Sequence, residues 1–106
     1  MLSFDDFKKM ELRIGRVVSV EDHPNADKLY VMKVDLGGEE RQLVAGLKKH
    51  YTAEQLEGRL IVVVANLEPA VLRGVESQGM LLAAGEGDMV SVLQPDADVA
   101  PGAKVL

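Results

Sequence analysis

The sequence predicts an all-β fold in which short helices interrupt the strands. The first observation is a pair of apolar runs, at residues 60–65 and 80–84, which are short and bounded by turn formers, as buried strands are. The second is an alternation of apolar and polar residues over positions 12–21, which is typical of a strand with one buried face. The third is a set of glycine, proline, asparagine and aspartate clusters that separate these runs and predict tight turns.

The N-terminal part predicts a short helix followed by the first strand. Ser3 with Asp6 three residues later resembles a helix N-cap with an acid in the first turn. The apolar residues that recur at helical spacing there are Phe4, Phe7 and Met10. In the strand that follows, Gly15 is expected to mark a bulge or a sharp bend. We expect one face of that strand to carry Leu12, Ile14, Val18 and Val20.

Two further strands complete a meander. Residues 23–27 predict a turn, because Pro24 restricts the preceding residue to extended geometry and Asn25 and Asp27 can bond their own backbone. A second strand is predicted over residues 28–36, with an apolar face made of Tyr30, Met32, Val34 and Leu36. Gly37-Gly38 then predicts a hairpin into a third strand over residues 41–45.

A helix separates the third strand from the fourth. Thr52-Ala53-Glu54-Gln55 has the pattern of a capping box, and Gly58 that of a helix C-cap. The two apolar runs supply the fourth and fifth strands, and residues 66–80 are predicted as a loop held between two buried strands. Turns at residues 85–88 and 101–102 enclose a further strand over residues 89–93.

This order of elements predicts a five-stranded Greek-key barrel of the OB type, with short additional elements at the termini. Three meander strands come first, and a short helix joins the third strand to the fourth. A small β-sandwich is the alternative. The interposed helix and the few aromatic residues favour the barrel, since a sandwich more often contains strands alone and a buried tryptophan. We expect residues 1–106 to form a single domain.

Composition limits the classes of function. With no cysteine, the chain can form neither disulfides nor thiolate metal sites. The longest apolar run is far too short to span a bilayer and the N-terminus lacks a signal pattern, so we expect a cytoplasmic protein without a membrane partner. The formal net charge of −5 disfavours a polyanion partner, yet many cations fall in the middle of the chain, which allows a basic face on an acidic body.

Residues 66–80 hold the best candidate for a binding site. They combine polar side chains with Gly74 and Gly79, so donors are presented on backbone that can approach a ligand closely. That combination favours a binding surface over a catalytic pocket. The two histidines, His23 in a predicted turn and His50 at a predicted surface position, accompany no nucleophile motif. We therefore expect no enzymatic activity, no metal site and no cofactor.

Four motifs occur in order along the chain. They are Asn25-Ala26-Asp27-Lys28-Leu29, Ala45-Gly46-Leu47, Asn66-Leu67-x-Pro69 and Arg73-Gly74-x-x-Ser77-Gln78-Gly79-Met80. Their combination resembles the tRNA-binding domain family, over the chain from about Phe4 onward. It is similar to the domain that is appended to methionyl-tRNA synthetases or forms their beta subunit, and to free-standing dimeric tRNA-binding proteins.

The resemblance implies an OB barrel that binds tRNA by shape and backbone, without reading an anticodon, and it implies a homodimer. By matching positions, the family's tRNA contacts fall on Lys28, Ser77 and Met80, with Asn66 and Arg73 in supporting roles. Further cations that we expect at a phosphate-binding groove are Lys33, Lys48 and Lys49. The apolar stripe of the first helix is expected under the barrel or in the dimer interface.

Two functions are compatible with these observations. The first is non-catalytic tRNA binding that assists a methionyl-tRNA synthetase, with tRNA and the catalytic chain of the synthetase as partners. The alternative is a chaperone-like or protein-interaction dimer on the same fold. The alternative is motivated by the acidic net charge and by Glu68 and Val71, which occupy positions where many members of the family have lysine or arginine. Each lost cation near a groove weakens its attraction for phosphate.

Overall fold

A computed structural model describes residues 1–106 and contains nine strands and two short helices. In chain order the elements are α1 Phe4–Lys8, β1 Leu12–Asp22, β2 Tyr30–Asp35, β3 Glu40–Ala45, α2 Ala53–Leu56, β4 Leu60–Val64, β5 Ala70–Leu72, β6 Val75–Ser77, β7 Met80–Leu81, β8 Ala83–Glu86 and β9 Met89–Val92. The all-β prediction is confirmed, as is a helix between the third and fourth strands. No helix is long and apolar enough to cross a bilayer.

Five strands form an antiparallel sheet that curls into a nearly closed barrel of the OB type. Their order in the sheet is β3-β2-β1-β4-β7. The predicted alternation of β2 is confirmed, because Tyr30, Met32, Val34 and Leu36 are all buried. They share one core with side chains of β3, α2 and β4, of which Leu43, Leu56 and Ile61 are almost fully buried. Burying each such side chain contributes roughly 1.5–3 kcal/mol.

The predicted apolar face of β1 is divided: Val20 belongs to the barrel core, whereas Leu12 and Ile14 are buried outside that core, next to residues 103–105. Val18, which we placed in the core, is 52% exposed, whereas its neighbour Val17 is 1% exposed. The cause is an irregularity in the pairing of β1 with β2, which skips from Val17 to Ser19. Because side chains alternate along a strand, one extra residue exchanges the inner and outer faces. The predicted bulge therefore exists, but it lies beyond Gly15.

The stretch that we predicted as a loop contains a small hairpin. Strands β5 and β6 pair with each other from Ala70 opposite Ser77 to Leu72 opposite Val75, and they join no other strand. The following run, residues 80–84, was predicted as a buried strand, which is wrong. It is divided between β7 and β8, and every residue in it is exposed or half-buried.

Side chains complete the barrel where backbone pairing stops. The N–H of Val44 in β3 donates to Ser77 Oγ at 3.0 Å, and the N–H of Gln42 donates to Gln78 Oε1 at 3.0 Å. The N–H of Gln78 donates in return to the Gln42 carbonyl at 2.7 Å. These bonds replace part of a strand ladder and fix the base of the β5–β6 hairpin against β3.

Both helices have the predicted caps. Ser3 Oγ accepts from the N–H of Asp6, and Thr52 Oγ1 accepts from the N–H of Gln55, with a reciprocal bond in each case. The apolar stripe of α1 does not lie under the barrel, since Phe4 is 72% exposed and no residue of α1 is buried. Together with Val105, this stripe lines a cleft of about 290 Å³ at the surface.

Candidate nucleic-acid interface

A buried histidine attaches the turn between β1 and β2 to the tip of the β5–β6 hairpin. His23 is 5% exposed, and its Nδ1 accepts a hydrogen bond from the N–H of Asn25 at 2.9 Å. Its Nε2 lies 2.8 Å from the carbonyl oxygen of Leu72. Since a backbone N–H can only donate and a carbonyl can only accept, these two bonds assign the acceptor role to Nδ1 and the donor role to Nε2.

A second, reciprocal connection joins Asn25 to Arg73. The Nδ2 of Asn25 donates to the carbonyl of Arg73 at 3.3 Å, and Nη2 of Arg73 donates to the carbonyl of Asn25 at 3.5 Å. Arg73 and Gly74 have φ values of 54° and 90°, the pattern of a type I′ hairpin turn. Asn25 and Arg73 are 48 residues apart in the sequence. Two distant motifs thus meet at one surface.

Lysines gather beside this contact. The N–H of Lys48 donates to the carbonyl of Lys28 at 3.4 Å, which brings the segment after β3 next to the turn. The Nζ of Lys48 lies 3.2 Å from the exposed Asp22 carboxylate, a pair that solvent weakens. Lys28 and Lys49 are exposed and take part in none of the ion pairs of the chain. We call residues 23–29, 48–49 and 72–75 the turn–hairpin surface.

An open groove continues from the lysines toward α2. It has a volume of about 410 Å³ and is bounded by Tyr30, Lys48, Lys49 and residues 50–55. At the start of α2 the N–H of Gln55 is already capped by Thr52, and the cationic side chains of the groove are those of the two lysines.

Lys33 lies on the outer face of β2, near the base of the hairpin. Its Nζ donates to Gln42 Oε1 at 2.9 Å, and Gln42 Nε2 donates to the carbonyl of Glu76 in β6 at 2.8 Å. The outer face of strands 2 and 3, together with the loops after strands 1 and 4, is where OB folds bind oligonucleotides. The turn–hairpin surface and Lys33 occupy that region.

Ser77 and Met80 border a separate apolar groove of about 300 Å³. Ser77 is 4% exposed, and its hydroxyl accepts from the N–H of Val44 and donates to the carbonyl of Gly79 at 2.9 Å. Met80 is 49% exposed, and so its thioether is accessible to a ligand. The other lining residues are Val44, Leu67, Glu68, Ala70, Leu72 and Gly79.

Comparison with known proteins identifies the family of this chain. A family model described as a putative tRNA binding domain matches residues 12–104. The chain belongs to the tRNA-binding domain family. The matched residues include all four motifs. Two of these motifs, at residues 25–29 and 73–80, contribute to the turn–hairpin surface of this tRNA-binding domain.

The curated relatives that match this tRNA-binding domain are much longer proteins. The chain is 66% identical over 104 residues to a methionine–tRNA ligase of Pyrococcus furiosus and 55% identical to one of Thermotoga maritima, and 98% of the chain is covered in each case. It spans 14% and 16% of the lengths of those two proteins.

Solved structures show the same barrel. A methionyl-tRNA synthetase-related protein from Pyrococcus horikoshii superposes with a TM-score of 0.93 at 36% identity, covering 100% of this chain and 98% of that one. The chaperone CsaA of Bacillus anthracis superposes with a TM-score of 0.90 at 31% identity, covering 100% and 99%.

Asn66 lies apart from the other candidate residues. Its Oδ1 accepts from the N–H of Glu11 at 2.8 Å, and its Nδ2 donates to the carbonyl of Lys9 at 2.6 Å. Both bonds hold the connection between α1 and β1, at the opposite end of β1 from the turn. The structure thus places Lys28 next to Lys48, and Arg73 next to the turn that precedes Lys28, and it separates Asn66 from them.

Two carboxyl groups have a shifted pKa, and neither belongs to the turn–hairpin surface. The Arg13 guanidinium donates to Glu39 at 2.9 Å, and this bond with the nearby charge of Arg41 lowers the pKa of Glu39. The pKa of Asp6 is lowered by its backbone and side-chain hydrogen bonds with Ser3 in the α1 cap. No cluster of three histidine, cysteine, aspartate or glutamate residues is present that could hold a metal ion.

The sequence reasoning missed His23 and Gln42 as parts of this region. The turn at residues 23–27 was predicted, but its attachment to the hairpin was not, because nothing local connects His23 to Leu72. The available signal was a histidine directly before a proline within a motif, where a ring can accept a bond from the turn and still reach a distant carbonyl.

Proposed function

We propose that this domain binds tRNA non-covalently and without catalysis through the turn–hairpin surface. The observation that carries the proposal is the reciprocal pair of hydrogen bonds between Asn25 and Arg73, which joins two of the family's motifs into one surface. Both residues are exposed, so the surface that the two motifs form together is open to a ligand.

The charges of this surface suit a phosphate backbone. Lys28, Lys49 and Arg73 present cations that no carboxylate neutralises at close range, and Lys48 shares its charge with Asp22 alone. The net charge of −5 opposes a polyanion at long distance but is screened beyond about 8 Å in physiological salt. Local cations then determine which face of the domain approaches the RNA.

Assistance to a methionyl-tRNA synthetase is the second part of the proposal. The support is the match to segments of methionine–tRNA ligases, in which about one seventh of the length corresponds to this chain. As a beta subunit or as a domain of the C-terminal type, the module raises the local concentration of tRNA at the catalytic chain. Such linkage increases apparent affinity without a new contact at the active site.

We further propose that the domain forms a homodimer through the α1 face. Phe4, Phe7 and Met10 expose apolar surface next to Val105, and a second copy would cover the cleft between them. Sedimentation of the purified protein tests this part: a dimer that becomes a monomer on Phe4→Glu substitution is expected. A monomeric unaltered protein at micromolar concentration would contradict it.

The test of tRNA binding is a titration of the purified protein across several salt concentrations, with duplex DNA of equal charge as competitor. Binding that weakens with salt and survives the DNA is expected. Each phosphate contact should contribute about 0.7–0.9 to the slope of log K against log salt concentration. Absence of saturable binding at low salt would overturn the proposal.

Arg73→Glu is the matched disruption of the surface. We expect affinity for tRNA to fall at least about tenfold, because one phosphate partner is lost and a repelling charge takes its place. Lys9→Glu, which changes the net charge by the same amount, is the control, since Lys9 is also an exposed cation but follows α1 at the opposite end of β1. An equal loss in both variants would show that binding follows net charge and not this surface.

The apolar groove beside Met80 supports the second candidate function, peptide binding. Leu67, Leu72 and Met80 expose apolar surface there, and Glu68 gives the rim a negative charge. A solved structure of similar fold is named as a chaperone. Peptide binding that persists at high salt, together with absent tRNA binding, is the result that would favour this candidate.

A further inference from the structure

We propose that His23 is a positioning residue for tRNA binding, which acts by tethering the Leu72 carbonyl and thereby setting the place of Arg73 relative to the Asn25 turn. The inference rests on the proposed tRNA-binding function. It goes beyond that function because it names the group that keeps two separate loops in one arrangement.

The hairpin needs such a tether because its own strands are short. Strands β5 and β6 have three residues each, pair only with one another, and β5 is exposed along its whole length. An isolated two-stranded hairpin is at best marginally stable in water. Its base is held by Ser77 and Gln42, and so the direction of its tip depends on contacts near Arg73.

Of the contacts at the tip, the one from His23 is the most favourable. The bonds between Asn25 and Arg73 are 3.3 and 3.5 Å long and lie in exposed surroundings. The bond from His23 Nε2 to the Leu72 carbonyl is 2.8 Å long and partly buried, since His23 is 5% exposed. Short hydrogen bonds of buried groups are electrostatically stronger than long exposed ones.

His23 is also anchored on the side of the turn. Its Nδ1 accepts from the N–H of Asn25, and its own N–H donates to the carbonyl of Leu29 at 3.1 Å. The imidazole therefore lies between the two loops and contacts each through a different nitrogen. Loss of either bond should have a distinct effect, which allows the two roles of the ring to be separated.

Two substitutions, each of which keeps one of the two bonds, make that separation. In His23→Gln the amide N–H₂ can reach the position of Nε2 and donate to the Leu72 carbonyl, whereas in His23→Asn the shorter side chain keeps only an acceptor for the N–H of Asn25. We expect His23→Gln to retain most of the affinity for tRNA. We expect His23→Asn to lose about tenfold in affinity and to show a smaller salt slope, because one phosphate contact is lost.

A double-mutant cycle with Arg73→Ala tests whether His23 acts through Arg73. If it does, His23→Asn should cost no further affinity once Arg73 is absent, since the tethered cation is no longer present. A purely structural role predicts instead that the losses add. Hydrogen exchange of residues 70–77 in the RNA-free protein supplies a second readout, and we expect faster exchange in His23→Asn than in His23→Gln.

The outcomes distinguish the inference from the function on which it rests. Lack of tRNA binding by the unaltered protein overturns the proposed function, and the role of His23 in RNA binding with it. Binding by the unaltered protein with equal affinities for both His23 variants, or with additive losses in the cycle, overturns the tether alone. Non-additive losses confined to His23→Asn, with faster exchange of the hairpin, establish the tether.

Discussion

Ser77 Oγ accepts a hydrogen bond from the N–H of Val44 at 3.0 Å, in a position where a barrel strand would offer a backbone carbonyl. The same hydroxyl donates to the carbonyl of Gly79 at 2.9 Å. One side chain thereby joins β3 to the end of the β5–β6 hairpin. A residue that the resemblance marks as a tRNA contact also closes the barrel.

Replacing Ser77 by alanine should destabilise the fold. The substitution leaves the buried N–H of Val44 without a partner, and the cost of such a group is about 1–3 kcal/mol. Denaturant unfolding monitored by circular dichroism measures the loss, with the exposed Ser91→Ala as control. If Ser77→Ala keeps full stability and loses only tRNA binding, the hydroxyl serves the ligand and not the barrel.

Arg73→Asn should separate stability from binding. Arg73 has φ of 54°, a conformation that costs most side chains roughly 1–2 kcal/mol and that asparagine adopts more readily. We therefore expect unfolding free energy to stay equal or to rise by up to about 1 kcal/mol, while affinity for tRNA falls. Parallel thermal melts and tRNA titrations check both parts. A clear loss of stability would show that the guanidinium contributes to the fold.

Glu39→Gln should reduce the sensitivity of the fold to acid. The bond from Arg13 lowers the pKa of Glu39 in the folded state below its value of 4.5 in the unfolded chain. Its contribution is therefore fully present above pH 4.5 and is lost as the pH falls through the lower, folded-state value. Melting temperatures of the unaltered protein and of Glu39→Gln, measured between about pH 6 and pH 3, check this loss of stability in acid. Glu40→Gln, at the exposed neighbouring position, is the control. An equal reduction of acid sensitivity in that variant would contradict the assignment of the effect to Glu39.

Gly15→Ala should destabilise the barrel by overpacking. A methyl group at this position would lie 2.5 Å from Val34 Cγ1 and 2.9 Å from Leu36 Cδ2, and both of those side chains are fully buried. Overpacking of this kind costs about 1–3 kcal/mol. Gly46→Ala is the control, because its methyl group would meet only Leu29 Cδ2 at 3.8 Å. Equal unfolding midpoints for the two variants would contradict the prediction.

Much of the barrel could be predicted because its signals are local. The alternation of β2 over Tyr30, Met32 and Val34 and the capping pattern after Thr52 depend on neighbours within a few residues. The exposure of Val18 could not be predicted, since the pairing with β2 decides where β1 gains its extra residue. The prediction that residues 80–84 are buried was wrong for the same reason, because apolar composition does not show whether another segment covers these residues.

For the candidate site, the motifs identified segments but not the bonds between them. Lys28, Lys48 and Arg73 were named from the sequence, and the structure brings their segments together through backbone and Asn25 bonds. Asn66 holds the α1–β1 connection through a partner 55 residues away in the sequence. Ser77 closes the barrel through a partner 33 residues away. A hydroxyl or amide in a motif has the same appearance in the sequence whether it faces a ligand or the backbone.

The sequence by itself determined the all-β class, the helix between the third and fourth strands, the caps, and the family, because each depends on residue order and short-range chemistry. Only the tertiary structure decided that His23 is buried between two loops and that Phe4 remains exposed. The physical reason is that burial and long-range hydrogen bonds are properties of pairs of segments, and they exist only after the barrel has brought those segments together.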